Sequence, residues 1–97
     1  MTTQLRVYTI NRGSLHLFAK EWKEKVLPLR IEYGFQIHGA WTIEKTNQFI
    51  WLISWEGQES WDARENAYYS SSIRIAMEPD PARLIARQEK FDVENVL

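Results

Sequence analysis

The sequence contains no cysteine, and this absence removes a whole group of chemistries. The chain has no disulfide, no thiolate nucleophile and no thiolate ligand for a metal. Only two histidines are present, His16 and His38, and they stand far apart in the sequence. We therefore expect no metal site and no bound organic cofactor. A chain without cysteine is also typical of a reducing compartment, so we expect a cytoplasmic protein.

The chain also lacks an excess of either charge and any long apolar run. Lysines and arginines number 12 and aspartates and glutamates 13, so no basic surplus exists to neutralise the phosphates of a nucleic acid. No apolar stretch reaches the roughly 18 residues of a membrane span. The first ten residues do not have the basic start and apolar centre of a signal peptide. Glycine-rich phosphate loops and serine nucleophile elbows are missing as well. Nucleic acid and membrane are therefore not expected partners, and no reaction is indicated.

Tryptophan, by contrast, is abundant for a chain of this length. Five occur among 97 residues, and four of them, Trp41, Trp51, Trp55 and Trp61, lie close together. Large aromatic side chains dominate the energetics of cores and interfaces, so most of the burial is expected in this region. The length suits one domain, which we place over residues 1–97.

Hydrophobic periodicity predicts the element order β-α-β-β-α-β. The first strand is Leu5–Ile10. A helix follows from Ser14, the expected N-cap, to Gly34, the expected C-cap. Residues 35–44 and 48–55 form a β-hairpin, and a second helix follows Ser60. A last strand lies within residues 83–97.

The first helix contains Pro28, although its apolar stripe continues beyond that residue. The stripe comprises residues spaced by three and four: Leu15, Phe18, Trp22, Val26, Leu29 and Tyr33. Proline inside a helix removes one hydrogen bond and crowds the carbonyl four residues earlier. We therefore expect a kink, or a break followed by a last helical turn, rather than an end at Leu27.

This element order is that of the ferredoxin-like fold, an α+β sandwich in which one antiparallel sheet carries both helices on one face. The other face of the sheet is then uncovered in a single subunit. Its apolar content is too high to remain in water, and pairing of two such faces in a homodimer is the simplest way to cover it.

Several short motifs in a fixed order resemble those of the NIPSNAP family. They are "LRVYTI", "GSL" with Phe18 and Trp22, "LPL", "YG", "HGAWT", and "NQ" opening the run that ends in "SWE". The resemblance implies a dimeric α+β barrel, in which two ferredoxin-like subunits pair their sheets. Related folds include cofactor-independent monooxygenases, and the family itself has no settled activity. Family members often have histidine where this chain has Trp51, which removes an acid–base group from that strand.

Period-two alternation also predicts a candidate site on the uncovered face of the sheet. If Leu5 and Val7 point toward the helices, the uncovered face collects the proposed ligand-binding residues Arg6, Tyr8, His38, Trp51 and Trp55. His38 and Tyr8 are the candidate catalytic residues, because histidine moves protons near neutral pH. Arginine offers a fixed fork to a carboxylate or phenolate. A shift of the hairpin by one residue would exchange Trp41 for His38.

Two functions remain open at this point. The first is an enzyme or binding protein that takes a small hydrophobic or aromatic metabolite into the barrel. The second is a structural or interaction module with a filled barrel, in which Arg6 pairs with a carboxylate such as Glu44 or Glu89. A pocket of some hundreds of Å³ behind Trp51 would favour the first, since ligand sites commonly have about 300–1,000 Å³.

Overall fold

The computed structural model describes all 97 residues and contains one four-stranded antiparallel sheet. Its strands are β1 (Thr2–Ile10), β2 (Gln36–Ile43), β3 (Gln48–Trp55) and β4 (Ile85–Asp92). Their order across the sheet is β2-β3-β1-β4, so β1 and β3 are central and β2 and β4 are edges. This order and the helices on one face confirm the predicted ferredoxin-like α+β fold.

The helical segments lie between the strands. They are α1 (Leu15–Glu21), a π-helical turn (Trp22–Val26), α2 (Leu27–Glu32), α3 (Trp61–Ser70) and α4 (Ser72–Ile75). Short 3-10 turns occupy Glu44–Thr46 and Pro81–Leu84. No helix is both long enough and apolar enough to cross a bilayer.

The two serines predicted to be N-caps, Ser60 and Ser14, differ in whether the side chain caps the helix. Ser60 caps α3 as predicted, because its hydroxyl accepts a hydrogen bond from the Ala63 N–H at 3.1 Å. Ser14 stands at the N-cap of α1, but its side chain makes no capping bond. Only its backbone carbonyl takes part, accepting the N–H of Phe18 at 2.9 Å. Gly34 follows α2 with φ of 87°, the left-handed conformation expected of it.

A π-helical turn resolves the problem that Pro28 poses. The Leu27 N–H donates to the carbonyl of Trp22, five residues earlier, and α2 begins directly afterwards with Pro28 in its first turn. The proline, which has no N–H to donate, thus directly follows the wider turn. The helix therefore continues past Leu27, as predicted, through a widened turn. Leu29, the first residue of the stripe after the proline, remains buried.

Replacing Pro28 with alanine should leave the fold intact. Pro28 is exposed and its ring fits the local backbone. The substitution therefore acts mainly by raising the conformational entropy of the unfolded chain. We expect the free energy of unfolding to fall by no more than about 1 kcal/mol. Urea unfolding followed by circular dichroism measures this. A loss of several kcal/mol would show that the proline fixes the path of the helix.

The strand pairing shows that the sheet faces are opposite to those predicted. Tyr8 packs edge-on against Phe18 of α1 with ring centroids 5.9 Å apart. Trp51 meets Trp22 in the same way at 5.3 Å. Arg6 pairs directly with Trp51 in the sheet and therefore shares its face. Arg6, Tyr8 and Trp51 thus lie under the helices, and placing them on the uncovered face was wrong.

The reason for this reversal is that both faces of the central strands are apolar. Leu5 pairs with Leu52 and Val7 with Ile50, so these aliphatic residues form the face without helices. The helices instead cover the side with the larger rings, which interlock with the aromatic stripe of α1. Alternation alone separates the two faces of a strand but does not say which one a helix covers.

A β-bulge in β2 explains why the predicted hairpin faces were also wrong in part. Ile37 pairs with Ile53, but the next paired residue is Gly39, opposite Leu52. His38 is the extra residue, and it shifts the alternation along the rest of the strand. The bulge separates Ile37, which pairs with Ile53, from Trp41, which shares the face of Ile50 as predicted. Trp41 is 52% exposed because that face is the one without helices.

We call the side of the sheet away from the helices the helix-free face. It carries a continuous apolar surface made by residues from all four strands: Leu5, Val7, Trp41, Ile50, Leu52 and Phe91. Trp41 and Phe91, at 52% and 47% exposure, are large rings left open to water. An apolar patch of this kind is typical of an interaction surface.

Candidate functional site

The helix-covered side of the sheet contains a cavity of about 130 Å³, which we call the helix-side cavity. Tyr8 and Trp51 form its floor, and Phe18, Trp22 and Val26 form one wall. The opposite side is made by Arg30, Tyr68 and Tyr69, and the mouth by Ala82 and Gln88. Tyr69, Ala82 and Gln88 are exposed, so the cavity reaches the surface between α3 and β4.

The walls of this cavity are held by aromatic rings that pack edge to face. Trp22 contacts Trp51 at 5.3 Å, and Tyr8 contacts Trp51 at 6.2 Å. Such pairs contribute about 0.5–1.5 kcal/mol each beyond the area they bury. The cavity is therefore bounded by side chains with little freedom to move.

Beside the cavity lies a buried cluster of three charged residues, Arg6, Arg30 and Glu65. Arg6 Nη2 donates to Glu65 Oε2 at 2.9 Å, and Arg30 Nη1 donates to Glu65 Oε1. Both arginine side chains are 1% exposed and the glutamate is 13% exposed. Arg6 is further held by Gln4 Oε1, which accepts from Nε and Nη2 at 3.2 Å. The cluster brings two positive charges into the interior against one negative charge.

Arg30 is enclosed by aromatic faces as well as by Glu65. Its guanidinium carbon lies 3.8 Å from the ring centre of Tyr68 and 4.8 Å from that of Phe35. Nη2 also donates to the Tyr69 hydroxyl at 3.2 Å. Contacts between a cation and a ring face stabilise a desolvated charge. These rings compensate in part for the missing second carboxylate.

Several buried polar atoms around the cavity have no hydrogen-bond partner. They are Arg30 Nε, Trp22 Nε1, Trp51 Nε1 and the Tyr68 hydroxyl, all on residues that line the cavity, together with Arg6 Nη1. A buried donor without a partner costs about 1–3 kcal/mol, so most native structures avoid leaving one. These unpartnered atoms are concentrated around one cavity.

The pKa shifts follow from these contacts. Burial opposes ionisation of Glu65, but Arg30 and Arg6 outweigh it and lower the pKa of the carboxyl group below its ordinary value. Burial raises the pKa of Tyr8, although Arg6 acts in the opposite direction. At neutral pH Glu65 is therefore ionised and Tyr8 is protonated. Tyr8 can donate a hydrogen bond to a ligand but does not serve as a base.

The structure unites only some of the residues predicted to form a site. Arg6, Tyr8 and Trp51 come together, although under the helices. Trp55 shares their face but lies away from the cavity, where it packs on Phe35 at 6.0 Å.

His38 lies apart from all of these residues. Its Nε2 is 2.6 Å from the hydroxyl of Ser54, whose position in the register places it on the helix-free face. A separate pocket of about 350 Å³ surrounds it, bounded by Thr3, Leu52 and Val93. His38 therefore cannot move a proton in the helix-side cavity. No group of three or more metal-binding side chains is close enough to hold an ion.

Arg30 and Glu65 were not predicted as site residues, and the partner predicted for Arg6 is wrong. Glu44 and Glu89 were the expected carboxylates, but Glu65 is the one that binds Arg6. The helical spacing of Glu65 and Arg30 relative to aromatic and apolar residues could have indicated that both are buried. Glu65 is four residues after Trp61 and three before Tyr68, so the three share one face of α3. Arg30 likewise follows Val26 by four residues, on the buried side of the helix.

Comparison with known proteins shows the family of the chain and agrees with its fold. The model of the NIPSNAP family matches residues 3–92. The chain belongs to the NIPSNAP family. A structure of an uncharacterised NIPSNAP domain protein from Burkholderia xenovorans superposes with a TM-score of 0.84 at 18% identity, covering 98% of this chain and 94% of that one. A NIPSNAP family protein from Agrobacterium tumefaciens C58 gives 0.82 at 17% identity, covering 96% and 90%.

More distant structures share the same architecture. A putative antibiotic biosynthesis monooxygenase from Nitrosomonas europaea superposes with a TM-score of 0.70 at 8% identity, and all of both chains is covered. At this identity the likeness shows the fold alone. No curated protein matches the chain.

Glu65→Gln should destabilise the protein strongly, because Arg6 and Arg30 would lose their shared counter-charge. Breaking a buried ion pair at one partner costs about 3–5 kcal/mol, and we expect a loss in this range at pH 7 by urea unfolding. Glu59→Gln is the control, since Glu59 is exposed and lies 3.8 Å from Arg64. Equal stability of the two variants would contradict a structural role for Glu65.

The same variant should change the dependence of stability on pH. The pKa of Glu65 is lower in the folded state than its ordinary value of 4.5. Its contribution is therefore complete above about pH 4.5 and is lost as the pH falls through the folded-state pKa. We expect the parent to lose stability more steeply than Glu65→Gln below that pH.

Proposed function

We propose that this NIPSNAP protein is a homodimeric α+β barrel of a single domain, residues 1–97, that binds a small hydrophobic or aromatic molecule. The site we infer is the helix-side cavity in each subunit. The observation that supports it most is the group of unpartnered donors around an aromatic cavity with access to the surface.

The size of the cavity suits a small ligand. An engineered apolar cavity of about 150 Å³ is known to accept benzene, and the helix-side cavity has about 130 Å³. This is smaller than the pocket of some hundreds of Å³ that would have favoured a ligand behind Trp51, so a single ring or a short chain is the largest ligand that fits. The large, flat walls of Trp22 and Trp51 suit such a ring.

The groups on the cavity wall favour binding over acid–base catalysis. Tyr8 is protonated at neutral pH because burial raises its pKa, and His38 is on the other side of the sheet. A reaction like that of the putative monooxygenases of this fold would depend on the chemistry of the substrate itself. We therefore propose binding as the primary activity, with a monooxygenase-type reaction as its extension.

The homodimer is supported by the helix-free face. This face presents aliphatic pairs such as Leu5–Leu52 and Val7–Ile50 together with the exposed Trp41 and Phe91. A second copy of the chain offers the same apolar surface, and two-fold pairing would cover both at once. Burial of apolar area stabilises association by about 25 cal/mol per Å² before the costs of ordering.

The second candidate is an interaction module with no ligand. Its support is the ion cluster, in which Arg6 and Arg30 already have a buried protein partner in Glu65. In that case the small cavity would hold only water.

Closing the mouth of the helix-side cavity should abolish ligand binding. Ala82 is exposed and lines the cavity, so Ala82→Trp would place a large ring across the entrance. We expect the parent to bind toluene or indole in saturation-transfer NMR and this variant not to. Ala63→Trp is the matched control, because Ala63 is an exposed alanine of α3 outside the cavity. Equal binding by all three proteins would place the ligand elsewhere.

A charge at the centre of the helix-free face should prevent dimerisation. Leu5 lies on a central strand between Leu52 and Phe91. Sedimentation velocity at micromolar concentration should show a dimer for the parent and a monomer for Leu5→Glu, since the carboxylate would be buried without a partner. Thr42→Glu, on an exposed edge position of the other face, should remain dimeric. A monomeric parent would contradict the barrel.

A further inference from the structure

The charges around the helix-side cavity do not balance. Arg6 and Arg30 are buried, and Glu65 is the only carboxylate that either one contacts. The one other arginine on the cavity wall, Arg74, is paired with Asp80 at 3.2 Å and does not share the surplus. The interior next to the cavity thus retains one uncompensated positive charge.

The hydrogen-bonding groups are unbalanced in the same direction. Arg30 Nε and the indole N–H groups of Trp22 and Trp51 can donate but not accept. Arg30 Nε and the Trp22 N–H have no partner in the chain, and the Trp51 N–H has only the Tyr8 hydroxyl near it. The Tyr68 hydroxyl is also unpaired, and it can donate too. A molecule that supplies several acceptors and one negative charge would satisfy both deficits, whereas a neutral hydrocarbon would satisfy neither.

The remaining residues that line the cavity indicate the chemistry of the rest of the ligand. Phe18, Val26, Pro81 and Ile85 present apolar atoms to the cavity. A ligand that fits has an acceptor-rich anionic end and a compact apolar end. A carboxylate on a single ring or short chain has this shape, and arginine recognises it with a charge-assisted hydrogen bond.

We propose that the ligand of the helix-side cavity is a small organic carboxylate whose negative charge is held by Arg30 and the neighbouring indole N–H groups. This inference rests on the proposed function in using the same cavity, and it adds the charge of the ligand. Glu65 then acts as a positioning residue, because it holds the two arginines together without touching the ligand. It does so while leaving Arg30 Nε free.

Four probes test this on the intact protein at pH 7 by isothermal titration calorimetry: benzoate, benzamide, toluene and acetate. Benzoate and benzamide have nearly the same shape and differ in charge. We expect benzoate to bind about 10- to 100-fold more tightly than benzamide, the range of a charge-assisted hydrogen bond. Acetate should bind weakly and compete with benzoate, because it carries the anion without the ring.

The four probes separate a failure of the carboxylate inference from a failure of the proposed aromatic site. If toluene and benzamide bind as tightly as benzoate, the carboxylate inference is wrong and the aromatic site stands. If acetate alone binds, the anion site stands and the aromatic ligand is wrong. If none of the four binds, both proposals are overturned.

Single substitutions test which side chains donate hydrogen bonds to the carboxylate. Trp22→Phe removes one unpartnered N–H and should weaken benzoate about tenfold while changing toluene little, since an aromatic ring is kept. Trp61→Phe is the matched control, because Trp61 packs on Phe35 and does not line the cavity. Equal loss of benzoate binding in both variants, or of toluene and benzoate together in Trp22→Phe, would overturn the assignment of the donor. Thermal melting with and without benzoate gives the same comparison where heats are too small.

Discussion

Glu65 connects three parts of the molecule that surround the helix-side cavity: the central strand β1, α2 and its own helix, α3. It lies on α3 and binds Arg6 from the central strand β1 and Arg30 from α2. The two helical segments are therefore tied to the sheet through one carboxylate. An arrangement of buried charges is a costly way to fill a core, because apolar residues of similar volume often stabilise as well or better. The cluster does, however, place Arg30 beside the cavity.

The position of the cavity follows from this connection. α1 and α2 approach the sheet through the aromatic stripe, with Phe18 and Trp22 packing on Phe49 at 5.1 and 5.0 Å. α3 packs on the same face of the sheet, where Tyr68 meets Phe35. Rigid rings leave small gaps where two such layers meet, and the cavity lies between them. The site is therefore a product of packing with rings instead of aliphatic side chains.

The fold could be predicted from the sequence, and the site only in part. Alternation and helical spacing gave the element order, the cap at Ser60 and the continuation of the first helix past Pro28. They also placed Arg6, Tyr8, Trp51 and Trp55 on one face. They could not say which face the helices cover, because Leu5 and Val7 are as suitable for burial as Tyr8. The bulge at His38 was invisible, since one extra residue changes the register without changing the composition.

The bulge in β2 also affects how readily another strand can pair with the edge of the sheet. An edge strand exposes unpaired backbone groups that can recruit another strand, and bulges and charged side chains reduce this tendency. β2 is one edge and is interrupted at His38, while β4, the other edge, carries Arg87, Glu89 and Lys90. Strand addition at either edge is thus disfavoured, and growth into an open fibre is disfavoured with it. The proposed homodimer would accordingly form through the helix-free face and not through the edges of the sheet.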